Sequence, residues 1–339
     1  MIPVFFGLAG SSLTDAERRF FRSAEPAGYI LFRRNIETPA QVRALTDSLR
    51  DLAGNPRVPI LIDQEGGRVA RLQPPEWPAF PPPAVFGAAY ARAPITAMAA
   101  ARANAEALGA MLSGLGISVD CLPLLDVAHP GMHAVIGDRS YGADPLMVAA
   151  LGRATLDGLK TGGCVGVVKH IPGHGRATLD SHLDLPVVTA SAEELATDLL
   201  PFRRLADAPM AMTAHILYPA WDSALCASLS PAIIAGIIRR DIGFQGLLMS
   251  DDLGMQALGL QPGCDTMGGR AAGVLAAGCD IALHCSGDRA EMESIAAAVG
   301  PIGPEAAERL ARAMGWAAAA SDTPVEALAE RRDSLLAAA

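Results

Sequence analysis

Six short apolar runs in this chain are each followed closely by residues that can carry charge or move a proton. ILI leads to Asp63, LPLL to Asp126, VGVV to Lys169 and His170, MAMT to His215, LLMS to Asp251 and Asp252, and DIAL to His284. Carboxylates in such positions can attack or take a proton, imidazoles can shuttle one, and a lysine can hold a polar substrate. A second concentration lies in KHIPGHGRATLDSHLDLPVV, from Lys169 to Val188, which carries His170, His174 and His182. Asp180 stands two residues before His182. A carboxylate beside an imidazole orients the ring and stabilises its protonated form, as a general acid requires. A structureless connection of this length inside a compact domain is usually functional.

The elements that must position these groups are short strands alternating with amphipathic stretches. Strands are expected over Val4–Leu8, Tyr29–Phe32, Ile60–Ile62, Ser118–Leu125, Gly166–Lys169, Met210–Thr213, Gly246–Ser250 and Asp280–His284. Thr14 with Glu17, and Ser191 with Glu194, have capping-box spacing. Thr38-Pro39 and Ser230-Pro231 place a cap before a first-turn proline. Val42, Leu45, Leu49 and Leu52 fall on one helical face. Eight β/α repeats predict an α/β fold: a single (β/α)8 TIM-type barrel domain over residues 1–339, with extra C-terminal helices from Pro304 onward packed outside it. No GxGxxG follows the first strand, as an open dinucleotide-binding sheet would require. The Pro-rich segment Gln73–Phe86 reads as a loop between the third strand and its helix. In such a barrel the active site lies at the C-terminal ends of the strands, where the six runs deliver their polar residues.

Composition narrows the function further. The 339 residues are 51% hydrophobic and 19% charged, with a net charge of −9. An acidic surface disfavours nucleic acid and anionic membranes as partners. The N-terminus has no basic residue before its short apolar run, and no run is long enough to span a bilayer. The six cysteines form no CxxC pair, so the expected setting is a reducing cytoplasm.

Each polar residue also has a bland reading. Asp251 and Asp252 could cap a helix, which suits Asp252 better than Asp251. His174 in its glycine-flanked turn reads as a loop-holding residue. His215 and His284 could be satisfied core histidines, and His129 and His133 solvated loop residues. Glu65 is a catalytic acid by type, but the two glycines after it suggest a structural turn. Asp126 could line the pocket or cap the next helix. A zinc hydrolase is disfavoured, because there is no HExxH and Pro172-Gly173 break the helix that His170 and His174 would need to share a metal.

DQEGGRVARL (63–72), VIGDRSYGADP (135–145), KHIPGHG with DSH (169–182) and MSDDLGM (249–255) together resemble glycoside hydrolase family 3. They look most like its β-N-acetylhexosaminidase branch, the NagZ type, over most of the chain. The resemblance implies a retaining mechanism with Asp251 as nucleophile, His182 as acid/base and Asp180 as its partner. It implies that Asp63, Arg71, Arg139, Lys169 and His170 hold the hydroxyls of a terminal N-acetylglucosamine. No cofactor or metal is implied. It further implies a monomer that acts on a small sugar or muropeptide substrate, removing N-acetylglucosamine from 1,6-anhydro-muropeptides in cell-wall recycling in the bacterial cytoplasm. A β-glucosidase or phosphorolytic enzyme of the same family and a non-catalytic sugar-binding barrel are the alternatives.

Overall fold

A computed structural model describes residues 1–339 apart from His182 and Ser321. Eight parallel strands close a barrel: β1 (Ile2–Gly7), β2 (Pro26–Leu31), β3 (Ile60–Ile62), β4 (Val119–Asp120), β5 (Val165–Ile171), β6 (Met210–Thr213), β7 (Leu247–Asp252) and β8 (Ile281–His284). Each strand pairs with the next in sequence, and β8 returns to β1 through Val4 opposite Ala282. Helices between the strands cover the outside, giving the expected (β/α)8 architecture.

Two strands depart from expectation. The stretch Ser118–Leu125 pairs continuously only over Val119–Asp120, with an isolated bridge from Leu124 to Lys169. Pro123 has no amide to donate, so the ladder breaks before it. In compensation β5 runs on to Ile171. Lys169 and His170 are therefore strand residues, and the long connection begins at Pro172 rather than Lys169.

Local chemistry explains the helix starts. Thr14 and Ser191 each accept from the amide three residues on, and Glu17 and Glu194 reach back to the cap amides. Thr38 Oγ1 accepts from Gln41 N ahead of Pro39. Ser230 Oγ accepts from Ile233 N at the head of the segment Ile233–Ile242. Val42, Leu45 and Leu49 are buried, as the helical face predicts.

The barrel interior is filled by Phe5, Ile30, Leu61, Val119, Val167, Met212, Met249 and Leu283. Leu310 and Ala313, from the helix Pro304–Met314, join this same inner cluster. That helix is thus not wholly an outside element: it closes part of the interior. The helix Val325–Ala338 does pack outside, where Arg332 donates to Asn104 and lies over the Phe80 ring.

Asp280 fixes the inner helix electrostatically. It accepts from Arg239 Nη2 and Arg309 Nη1, both at 2.8 Å, and also from Leu248 N. Removing one member of such a buried set leaves the others charged and uncompensated. Asp280→Ala is expected to cost about 3–5 kcal/mol of stability, against about 1 kcal/mol for cap removal in Thr14→Ala. Urea unfolding measures both, and a smaller loss for Asp280→Ala than for Thr14→Ala would contradict this account.

Candidate active site

At the C-terminal ends of the strands a cavity of about 250 Å³ opens, lined among others by Asp63, Glu65, Arg71, Arg139, Lys169, His170 and Asp251. Its centre is Lys169. The side chain is almost wholly buried at the end of β5, and its ammonium lies 3.2 Å from Asp63 Oδ1 and 2.7 Å from Glu65 Oε1. Each acid has a second cation. Arg71 Nη2 donates to Asp63 Oδ2 at 2.9 Å, and Arg139 grips Glu65 through Nε and Nη2, both at 2.8 Å. Two parallel bonds of this kind set direction as well as strength.

Glu65, read from sequence as a structural turn residue, is held by two cations inside the site. After β3 the chain forms a small hairpin, Gln64–Gly66 against Val69–Ala70. The two glycines do mark a turn, but the turn aims Glu65 into the site. Gly66 has φ +96°, and a Cβ there would stand 2.3 Å from Pro81 O, so the Pro-rich segment presses on the hairpin where only glycine fits. Gln64 clamps the far strand, accepting from the amides of Arg71 and Leu72. Arg68, also unassigned from sequence, pairs with Asp138 and donates to the carbonyls of Ala134 and Val135, which ties the segment carrying Arg139 to the hairpin.

The charge states follow from the neighbours. Burial pushes the Asp63 carboxyl up, but Lys169 and Arg71 outweigh it and hold Asp63 well below the usual carboxylate range. Burial likewise raises Glu65, and Lys169 and Arg139 bring it below its ordinary value. Burial would lower Lys169, but Glu65 and Asp63 more than reverse this and keep it protonated. The set is therefore fully ionised, three cations against two anions, and Lys169 is a donor rather than a base. Asp251 supplies a balancing negative charge.

Asp251 ends β7. Its Oδ1 accepts from Asp252 N at 2.8 Å. Burial pushes its carboxyl up, but the His170 and His215 rings, the Asp252 amide and Lys169 outweigh burial and hold it below the ordinary 3.8. Arg71 spends its contact on Asp63 instead. His215 is a buried strand-end residue: Nε2 donates to Asp252 O at 3.1 Å, and Nδ1 lies 2.7 Å from Ser228 Oγ. Asp252 caps no helix here. It accepts from Gly254 N and Cys285 N, joining the ends of β7 and β8.

Asp126 organises the histidines. Its Oδ2 lies 2.7 Å from His170 Nδ1, and its Oδ1 accepts from the amides of His170 and His174. Burial raises this carboxyl, and the two rings with their hydrogen bonds bring it down to about 2. As an ionised acceptor it fixes the proton on His170 Nδ1, leaving Nε2 as the ring's other polar atom. His174 lines the cavity too. Burial and the His170 ring lower it to about 4, so it is neutral near pH 7. His129 is not a solvated loop residue, because its Nε2 donates to the buried Asp198. His284 is a core histidine, 2.8 Å from Glu291.

Six of the residues singled out in sequence, Asp63, Arg71, Arg139, Lys169, His170 and Asp251, line one cavity. Asp180 sits in a turn, its carbonyl accepting from the amides of Leu183 and Asp184. Its neighbour Ser181 lines the cavity and accepts from Ala257 N. His182 lies outside the described residues. No group of three or more potential metal ligands occurs among the described residues.

The depressed Glu65 carboxyl makes a stability prediction. A lowered folded-state value adds stability that is present above the ordinary 4.5 and lost as pH falls through the folded value. Glu65→Gln should lower the urea midpoint at pH 7 and make its decline below pH 4.5 shallower than in the parent. Parallel acid declines in the two proteins would contradict the ionised network.

Comparison with known proteins agrees with this geometry. Residues 9–313 match the model of the glycosyl hydrolase family 3 N-terminal domain. A β-hexosaminidase of Chromobacterium violaceum is 40% identical over 316 residues, covering 92% of this chain and 87% of the relative. Among solved structures, a family 3 β-N-acetylglucosaminidase from Paenibacillus sp. str. FPU-7 has a TM-score of 0.85 at 32% identity, with 98% of this chain covered. The present chain spans 66% of that longer protein. NagZ from Neisseria gonorrhoeae, crystallised with N-trifluoroacetyl-D-glucosamine, has a TM-score of 0.84 at 33% identity, covering 99% of this chain and 96% of its own. With its barrel closed and a carboxylate at the end of β7 below an ionised donor cluster, the chain belongs to glycosyl hydrolase family 3 and stands with its β-hexosaminidases as a glycoside hydrolase.

Proposed function

We propose that this chain is a retaining, exo-acting β-N-acetylglucosaminidase that works as a monomeric, single-domain enzyme. The observation that carries the reading is Asp251: an ionised carboxylate at a strand end, its Oδ1 held by a backbone amide, facing a cavity whose floor is lined with charged donors. In the proposed reaction Lys169, Arg71, Arg139 and His170 bind the hydroxyls of a terminal N-acetylglucosamine, with Asp63 accepting. Asp251 attacks the anomeric carbon and forms a glycosyl ester. His182, oriented by Asp180, gives a proton to the leaving oxygen and later takes one from the attacking water.

Retaining glycosidases usually use a second carboxyl group for that proton. A histidine in its place leaves no negative charge beside the anomeric carbon when the acceptor arrives. Positive charge builds at the anomeric carbon and ring oxygen as the bond breaks, so the stabilising partner is the preorganised Asp251 carboxylate, while the cations orient the hydroxyls. The natural substrate we propose is a 1,6-anhydro-muropeptide met in the cytoplasm during peptidoglycan recycling. This rests on the family resemblance and on a relative crystallised with an N-acylglucosamine analogue.

Nitrophenyl β-N-acetylglucosaminide should be cleaved in preference to the glucoside. Asp251→Ala should lower kcat by about 10⁴-fold or more, and a 2-acetamido fluorosugar should leave a covalent adduct on Asp251 detectable by peptide mass. An adduct on another residue would refute the nucleophile assignment. For the free enzyme, the acid limb of kcat/KM should fall below the 3.8 of an ordinary aspartate, because Asp251 stays ionised beneath that value. A limb clearly above it would contradict the site electrostatics.

A further inference from the structure

Asp198 is a buried carboxylate in the middle of the helix Ala192–Arg204, away from the cavity lining. A buried charge of this kind persists only with partners. It has two, from different parts of the chain. His129 Nε2 donates to Oδ1 at 3.0 Å, and Arg176 Nε donates to Oδ2 at 2.7 Å. Arg176 Nη2 reaches on to Glu194 O at 3.1 Å. His129 belongs to the connection that follows β4, and Arg176 to the one that leads from β5 toward Asp180 and His182. One carboxylate therefore joins the start of the His-rich segment to the helix that follows it and to the neighbouring connection.

The backbone before Arg176 is held just as closely. Tyr218 Oη donates to Gly173 O at 2.6 Å, and Asp126 Oδ1 accepts from His174 N at 2.7 Å. Gly173 has φ +136°, and a Cβ on it would approach Asp198 Cβ to 3.1 Å. A Cβ on Gly175 would stand 1.7 Å from Val127 O. The anchored stretch runs on one residue past Arg176, to the buried Ala177, whose carbonyl accepts from His133 N at 2.9 Å. From there to Asp180 is a span of only three residues, at most about 11 Å of chain.

We infer that Asp198 is a positioning residue for the proton-transfer step: through Arg176 and His129 it sets the point from which the chain runs on to Asp180, the proposed partner of the proton carrier. The inference rests on the reading of His182 as acid/base. A group that carries a proton must sit within hydrogen-bond reach of the glycosidic oxygen, and small displacements are expensive in rate. Asp251 and the cation cluster stand on strand ends and the hairpin, so loss of this anchor leaves them in place.

The test compares two leaving groups. In Asp198→Asn, kcat/KM for methyl β-N-acetylglucosaminide should fall about tenfold to hundredfold, part of the roughly 10²–10⁴ that a positioned proton donor contributes. For the nitrophenyl glycoside, which leaves without much acid help, the fall should be about threefold or less. Sodium azide should restore kcat on the nitrophenyl substrate. Azide attacks the anomeric carbon of the glycosyl ester as the Asp251 carboxylate leaves, and it needs no proton removed. Arg176→Ala should reproduce the pattern, and the double variant should be no worse than the more impaired single one. Equal losses on both substrates without azide rescue, in protein of near-parental melting temperature, would reduce Asp198 to a structural residue. If Asp198→Asn does not fold, the partly exposed Arg176 carries the same test. His182→Ala is the control. If it lacks the leaving-group dependence, the underlying mechanism fails; if it has the dependence and Asp198→Asn does not, only this inference fails.

Discussion

The ammonium of Lys169 is held in a place from which water is almost excluded, and the arrangement of the site follows from that constraint. A buried cation without partners would lose its proton or destabilise the fold. Asp63 and Glu65 keep it charged. They are buried carboxylates in turn, and Arg71 and Arg139 compensate them. Meeting those demands brings the hairpin after β3 and the segment around Arg139 onto the end of β5. What looks like substrate-binding equipment is also the solution to an electrostatic problem inside the barrel rim.

The same network separates the roles of the carboxylates. Asp63 and Glu65 are neutralised by direct ion pairs and act as scaffolding for donors. Asp251 feels His170, His215 and Lys169 through space and accepts one backbone amide, so it stays ionised without being tied up. The nucleophilic role proposed for Asp251 needs that balance, since a strong ion pair would lower its reactivity and an apolar setting would protonate it. His170 is held by Asp126 and His215 by Asp252 O and Ser228, which fixes both rings near the Asp251 carboxylate.

Rigid and connecting parts divide the chemistry between them. The proposed nucleophile and the charged cluster sit on strand ends and a short hairpin, where the barrel holds them in register. The proton carrier is proposed on a connection whose first residues are clamped by Asp126, Tyr218 and Asp198. Glycines at 173 and 175 allow that clamping, because side chains there would collide with Asp198 and Val127.

Much of this was legible in the sequence. Strand number, barrel class, helix caps and the alignment of polar residues with strand ends depend on local pattern, and local pattern survives the loss of three-dimensional context. The limits of β4 and β5 were less legible, because strand ends are set by pairing with neighbouring strands distant in sequence. Glu65 shows the larger gap. Its two glycines announced a turn, but only the folded hairpin decides whether a turn residue points to solvent or onto a lysine 104 residues later. Asp198 and His129 gave no signal at all, since 69 residues separate the partners of that pair. Residue types and their spacing determined by themselves the barrel class and which polar groups stand at its strand ends. Which acids are free to react and which are bound to cations was decided by tertiary structure, because charge state depends on distances of a few ångströms that sequence separation does not encode.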